Sequence, residues 1–186
     1  MEARALGLHG QIECAAGHQV PDVEVPAVCA GRHGVRHRVG VGGHAEDAEE
    51  RAGRVGGQAS YLAELCEALR RDDDTGRIVA AGRALIGRGP GLTPSGDDVL
   101  CGALLARHAT GRPVGALAAA VAGAEERTPL VSAALLRHAV RGECIPQVAD
   151  AIRGLAAREP LPLAPLLAVG HHSGADLVRG IAAGLA

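Results

Sequence analysis

Gly87-Arg88-Gly89-Pro90-Gly91-Leu92-Thr93-Pro94-Ser95-Gly96-Asp97-Asp98 runs directly into the apolar positions Val99, Leu100, Ala103 and Leu104. Four glycines, two prolines, two hydroxyls and two adjacent carboxylates share twelve residues. A loop of this make-up is built around backbone geometry rather than side-chain burial. The apolar spacing behind it predicts a helix over roughly Asp97 to Ala109.

Helix signals continue in both directions. Upstream, Leu62, Leu65, Cys66 and Leu69 fall at helical spacing behind a Ser60 cap, with Arg70 and Arg71 suited to the last turn. Asp72-Asp73-Asp74-Thr75-Gly76 breaks that helix, and Ile78, Ala81, Gly82 and Leu85 form a second stripe ending at Gly87. Downstream, Thr110-Gly111-Arg112-Pro113 turns the chain into an alanine-rich helix reaching about Ala124. Thr128-Pro129 reads as an N-cap followed by proline at the first helical position. Pro146 opens another helix, a short one precedes Gly170, and Ser173 starts the last. These signals predict a mainly α fold, a domain of about seven or eight short helices over residues 59–186.

Residues 1–58 differ. They are rich in Gly, His, Val and Arg, hold five of the nine histidines, and show no sustained period. They read as an atypical extension: unstructured, short-stranded around Val23, Val25 and Val28, or the product of a displaced start or reading frame. The histidines between Gly31 and His44 are flanked by glycines, which give metal ligands no rigid support.

Composition narrows the function classes. Nineteen basic and twenty-one acidic side chains leave a formal net charge of −2, with no electrostatic footprint for nucleic acid or anionic lipid. Tyr61 is the single residue of the Phe/Trp/Tyr class, so the core must be aliphatic. Small side chains suit closely packed helices. Five dispersed cysteines without a CxxC pair argue against a disulfide framework or zinc ribbon and for a reducing compartment. No apolar run reaches the roughly 18 residues of a membrane span. The expectation is a cytoplasmic protein acting on a small molecule or a protein partner.

The opening feature has an internal echo. Ser95-Gly96-Asp97-Asp98-Val99-Leu100-Cys101-Gly102 aligns without gaps to Ser173-Gly174-Ala175-Asp176-Leu177-Val178-Arg179-Gly180. Ser95 with Asp98, and Ser173 with Asp176, each fit a capping box, in which hydroxyl and carboxylate satisfy orphan N–H groups reciprocally. Capping leaves Asp97, Gly89-Pro90-Gly91, Thr93 and His171-His172 unexplained. Glycine-rich loops entering helix N-termini also expose N–H groups to anions, which makes an anion cradle the functional alternative. Two carboxylates beside a phosphate would repel it unless they face away or hold a cation, and Mg2+ on Asp97 and Asp98 is a third possibility. The loop is not a Walker A motif, because no Lys follows the glycines. His108, His138, Arg127 and Arg137 lie on or beside helices and read as surface or internally bonded side chains.

Three blocks together resemble the bacterial AllH family, named for a subunit of oxamate carbamoyltransferase in allantoin breakdown. They are Gly89 to Asp98, Ser132-Ala133-Ala134-Leu135-Leu136-Arg137 with Gly142 behind it, and Gly170-His171-His172-Ser173-Gly174-Ala175-Asp176-Leu177. The resemblance covers about residues 60–186. The family usually has Thr where His172 stands and a small or aliphatic residue where Arg88 stands.

The resemblance implies carbamoyl transfer between carbamoyl phosphate and oxamate, carried out jointly with other subunits. On the residues, Asp97, Asp98 and His171 are the catalytic candidates, and Gly89, Gly91, Thr93, Ser95, Gly96, Ser173, Gly174 and Asp176 the substrate- or anion-binding ones. The expected site has two walls, one from each serine-glycine loop. The alternative is a non-catalytic scaffold or regulatory subunit in which the Ser-Gly-Asp motifs only cap helices.

Overall fold

The computed structural model describes residues 48–71, 74–157 and 163–186. Within them lie eight α-helices: α1 (Ala48–Arg71), α2 (Thr75–Leu85), α3 (Ser95–Ala109), α4 (Gly115–Val121), α5 (Leu130–Val140), α6 (Pro146–Ala157), α7 (Leu163–Leu167) and α8 (Ser173–Leu185), with a 3-10 turn at Ala124–Glu126. The mainly α fold is thus as expected, and no strand occurs among the described residues. The readings made for residues 1–47 fall outside the described part.

Local chemistry explains the helix ends. Ser60 does not cap α1 but lies inside it, its Oγ 3.3 Å from Glu64 Oε1. Arg70 and Arg71 close the last turn by pairing with Glu67 at 3.0 and 2.8 Å. Asp74 caps α2 by accepting from the Arg77 N–H at 3.0 Å, an interaction worth about 1 kcal/mol.

Helix α3 is buried from Gly96 through Arg107. A helix apolar on all sides belongs inside a protein, and here Leu100, Ala103 and Leu104 have no exposed surface. Around it pack α2, α4, α5, α6 and α8. Even Arg107, 1% exposed, is held there, its Nε donating to Pro113 O at 2.7 Å.

The closest partner of α3 is α8, and the contact is nearly symmetric. A Cβ at Gly102 would stand 2.2 Å from Leu177 O, and one at Gly180 would stand 2.0 Å from Val99 O. Gly102 and Gly180 occupy equivalent places in the two repeats, as do Val99 and Leu177. The sequence echo is therefore a local two-fold crossing in which each repeat rests on the backbone of the other. The helix starts match too, for a Cβ at Gly96 would stand 2.0 Å from Leu85 O, and one at Gly174 would stand 2.0 Å from Leu166 O.

Candidate functional site

Asp97 is a structural bracket. It is 1% exposed, and its Oδ1 accepts from the Gly87 N–H at 2.8 Å. Its Oδ2 accepts from Ser132 Oγ at 2.7 Å and from Thr128 Oγ1. One carboxylate thereby ties the start of the glycine-rich loop, the segment before α5, and α5 itself to the first turn of α3. Thr128 does not cap α5, which begins at Leu130 with Pro129 in the cap position. Its hydroxyl is spent on Asp97 instead.

Asp98, one residue on, faces a cavity of about 450 Å³. Thr93, Asp98 and Ser173 supply polar groups, and Cys101, Leu105, Leu135, Ile145, Val148 and Leu177 are among the other lining residues. Thr93 Oγ1 and Ser173 Oγ are hydrogen-bonded at 3.0 Å, which brings the two serine-glycine loops together. Asp98 is 4% exposed, and its Oδ2 has no hydrogen-bond partner. Burial pushes its carboxyl up to about 6, opposed by the Ser173 hydroxyl, reinforced by Asp176 and Asp97, and opposed again by Thr93. A carboxyl raised by burial and set in a cleft is a candidate for a functional site. Burial, then the charges of Asp98 and Asp97, push the Cys101 thiol up as well, so it stands there as a neutral thiol and not a nucleophile.

At the cavity's solvent edge, His138 and Glu143 line the opening with about half of each side chain exposed. Their contact is 2.5 Å, and Arg141 binds Glu143 at 2.9 Å. Arg141, and after it His138, hold the Glu143 carboxyl down to about 2.

The remaining sequence candidates are placed as follows. Ser95 and Ser173 each begin their helices, Pro94 and His172 take the cap positions, and no side chain closes either cap. The N–H groups of Gly96, Asp97 and Asp98 go to Arg88 O and Pro94 O, and those of Gly174 and Asp176 to Val169 O and His172 O. Gly89 (φ 116°) turns the loop so that a Cβ there would stand 2.7 Å from Ser95 N, while Gly91 lies in open space. Asp176 is buried and pairs with Arg179. His171 is exposed, stacked edge-on against His172 at 4.3 Å between ring centroids, and does not line the cavity. Arg88 bonds Ala84 O at 2.7 Å and lies 4.1 Å over the Tyr61 ring, also outside the cavity.

Asp97 and Asp98 do not form a shared Mg2+ site. The Asp97 oxygens are spent on three donors, and Asp98 turns to a different environment. Among the described residues no group of three or more His, Cys, Asp or Glu is placed to hold a metal.

The family described as oxamate carbamoyltransferase subunit AllH matches residues 85–185, more than half of the chain. The chain belongs to the AllH family. The match begins at the last residue of α2 and takes in both serine-glycine loops, α5 and every residue that lines the cavity. No solved structure matches this AllH chain. Among the described residues no helix is long and apolar enough to cross a membrane.

Sequence reasoning missed the contribution of α5 and the turn behind it. Ser132 carries Asp97, while Leu135, His138 and Glu143 form one side of the cavity. The only signal was Ser132-Ala133-Ala134-Leu135 recurring in the family block; nothing local assigns those residues a partner.

Proposed function

We propose that this chain is a working subunit of a carbamoyltransferase of the oxamate type, assembled with other subunits, and that the Asp98 cavity holds the nitrogen that receives the carbamoyl group. The observation that carries this reading is Asp98, which lines a cavity beside two hydroxyls and whose buried Oδ2 has no partner. A buried acceptor without a donor is costly, by about 1–3 kcal/mol, and a catalytic role is one reason for such a group to be kept. An amide N–H is the complementary donor.

The same group suits the chemistry. The amide nitrogen attacks the carbonyl carbon of carbamoyl phosphate, a C–N bond forms, the C–O bond to phosphate breaks, and phosphate leaves with the electron pair. The nitrogen's proton passes to the Asp98 carboxylate. A carboxylate titrating near 6 is a stronger base than an ordinary aspartate and remains ionised at neutral pH. The donor's phosphate is placed outside the cavity, because an anion set among apolar walls beside a carboxylate would be strongly disfavoured. The glycine-rich loop serves the site by positioning Thr93 and by leaving its exposed outer face, from Arg88 to Leu92, for the donor or a partner subunit.

The scaffold reading is favoured by one observation: the amides of Gly87, Arg88, Gly96, Asp97 and Asp98 and the Asp97 carboxylate are engaged internally. It leaves the Asp98 cavity without a use. The two separate in one experiment, in which the tagged full chain is copurified with its partners and the assembly is given carbamoyl phosphate and oxamate. Transfer by the assembly that requires this chain is the expected result. An assembly that transfers no carbamoyl group to oxamate, or does so equally well after this chain is removed, defeats the proposal.

A further inference from the structure

The departing phosphate needs a proton. Carbamoyl phosphate is a dianion at neutral pH, so breaking its C–O bond with the electron pair on oxygen makes a phosphate trianion, which neutral water does not sustain. A positioned acid that protonates the oxygen as the bond breaks removes that cost. Asp98 is not that acid: it is taking up the proton of the attacking nitrogen, and it is buried on α3, away from a donor held outside the cavity.

His138 stands at the opening where the acid is required. It belongs to the last turn of α5 and lines the cavity, with its side chain 53% exposed. Its Nδ1 is 2.5 Å from Glu143 Oε2 and 3.0 Å from Arg141 Nη2. Two lone pairs would repel at 2.5 Å, so the ring hydrogen lies between Nδ1 and the carboxylate. Arg141 grips the same carboxylate with Nε on Oε1 and Nη2 on Oε2, each at 2.9 Å. The guanidinium thus fixes Glu143, and Glu143 aims the ring. With Nδ1 committed, Nε2 on the opposite edge is the nitrogen that can serve a ligand. An ion pair at a helix end asks only for a cation, which lysine or arginine would supply; imidazole differs in giving up and retaking a proton near neutrality.

Resting on the reading of Asp98 as the base of a carbamoyl transfer, we propose that His138 is the general acid that protonates the departing phosphate, with Glu143 and Arg141 as its positioning residues. As the nitrogen bonds to the carbonyl carbon, the C–O bond breaks and its electron pair stays on oxygen. The phosphate takes the Nε2 proton of the imidazolium and leaves as hydrogen phosphate, while the nitrogen's proton goes to the Asp98 carboxylate. Between turnovers Asp98 releases a proton to solvent and His138 takes one up, which closes the balance. Glu143, held ionised by Arg141 and then by His138, is the counter-charge of the imidazolium.

The test is kcat for carbamoyl transfer to oxamate by the assembled complex, with and without imidazole in the medium. His138→Ala is expected to lower kcat by about 10²–10⁴-fold. Its melting temperature should barely move, since exposed ion pairs contribute little. Because the position is half-exposed, imidazole should enter the space left by the ring and restore much of the loss, which a structural role would not allow. Glu143→Gln keeps the ring and is expected to cost a smaller factor that imidazole does not mend. Transfer by His138→Ala within a few-fold of the parent, or a loss that imidazole leaves in place, overturns the proposal. A Glu143→Gln complex as active as the parent overturns the positioning role.

Failure here is distinct from failure of the functional reading. If Asp98→Asn abolishes transfer while His138→Ala does not, the functional reading stands and the assignment of His138 falls alone. If the parent assembly transfers nothing to oxamate, both fall.

Discussion

Thr93 Oγ1 and Ser173 Oγ, eighty positions apart in the chain, meet at 3.0 Å. The bond fastens the glycine-rich loop to the first residue of α8 and sets two hydroxyls beside Asp98. Replacing Thr93 with Val or Ser173 with Ala should each cost about 1 kcal/mol of folding stability. The double variant should lose measurably less than the sum, since the second change removes a bond already broken. Urea denaturation of the four proteins checks this, and strict additivity would show that the pair is not coupled.

Asp97 is a bracket, so its loss should be a stability effect. Asp97→Ala leaves the Gly87 N–H and the Thr128 and Ser132 hydroxyls without their acceptor in the interior. At about 1–3 kcal/mol for each group left wanting, a loss of at least about 3 kcal/mol is expected. A change below about 1 kcal/mol by chemical denaturation would mean that the three donors find other partners.

Asp98 makes the opposite prediction. Its carboxyl rises from 3.8 in the open chain to about 6 in the folded one. Below pH 3.8 both states are protonated and the group is neutral in the balance. Between there and about 6 the folded state holds more protons than the unfolded, so stability falls as pH rises through this window and levels off above it. The full difference corresponds to about 3 kcal/mol. Asp98→Asn should therefore raise the melting temperature at pH 7.5 and flatten the pH dependence between about 4 and 6. A variant less stable than the parent at pH 7.5 would contradict this.

Glycines at the α3–α8 crossing act through contact distance. Gly180→Ala would put a methyl 2.0 Å from Val99 O, forcing the helices apart at an expected cost of about 3 kcal/mol. Gly115, the first residue of α4, has nothing within 4 Å of a Cβ, and Gly115→Ala should be neutral or stabilising by up to about 1 kcal/mol. Melting curves of the two variants separate the crossing from general intolerance of substitution.

The helices were legible because their apolar positions recur at helical spacing, and the repeat at Ser95 and Ser173 was legible as a pattern of eight residues. The capping boxes drawn from that pattern did not form, for a steric reason. Gly96 and Gly174 let each helix start settle onto the carbonyl end of the helix before it, and backbone carbonyls then take the N–H groups that hydroxyls would have capped. That frees Ser173 to face the cavity beside Thr93. The partners of Asp97 on α5 and the leucines of the cavity wall were not legible, because contacts across 30 or more residues leave no local periodicity.

If Asp98 acts on a reactant in its cavity, kcat/KM for carbamoyl transfer by the assembled complex carrying Asp98→Asn registers the loss. Removing a positioned base is expected to lower the value by about 10²–10⁴-fold, while the melting temperature holds or rises. Transfer within a few-fold of the parent complex would mean that Asp98 is not the base.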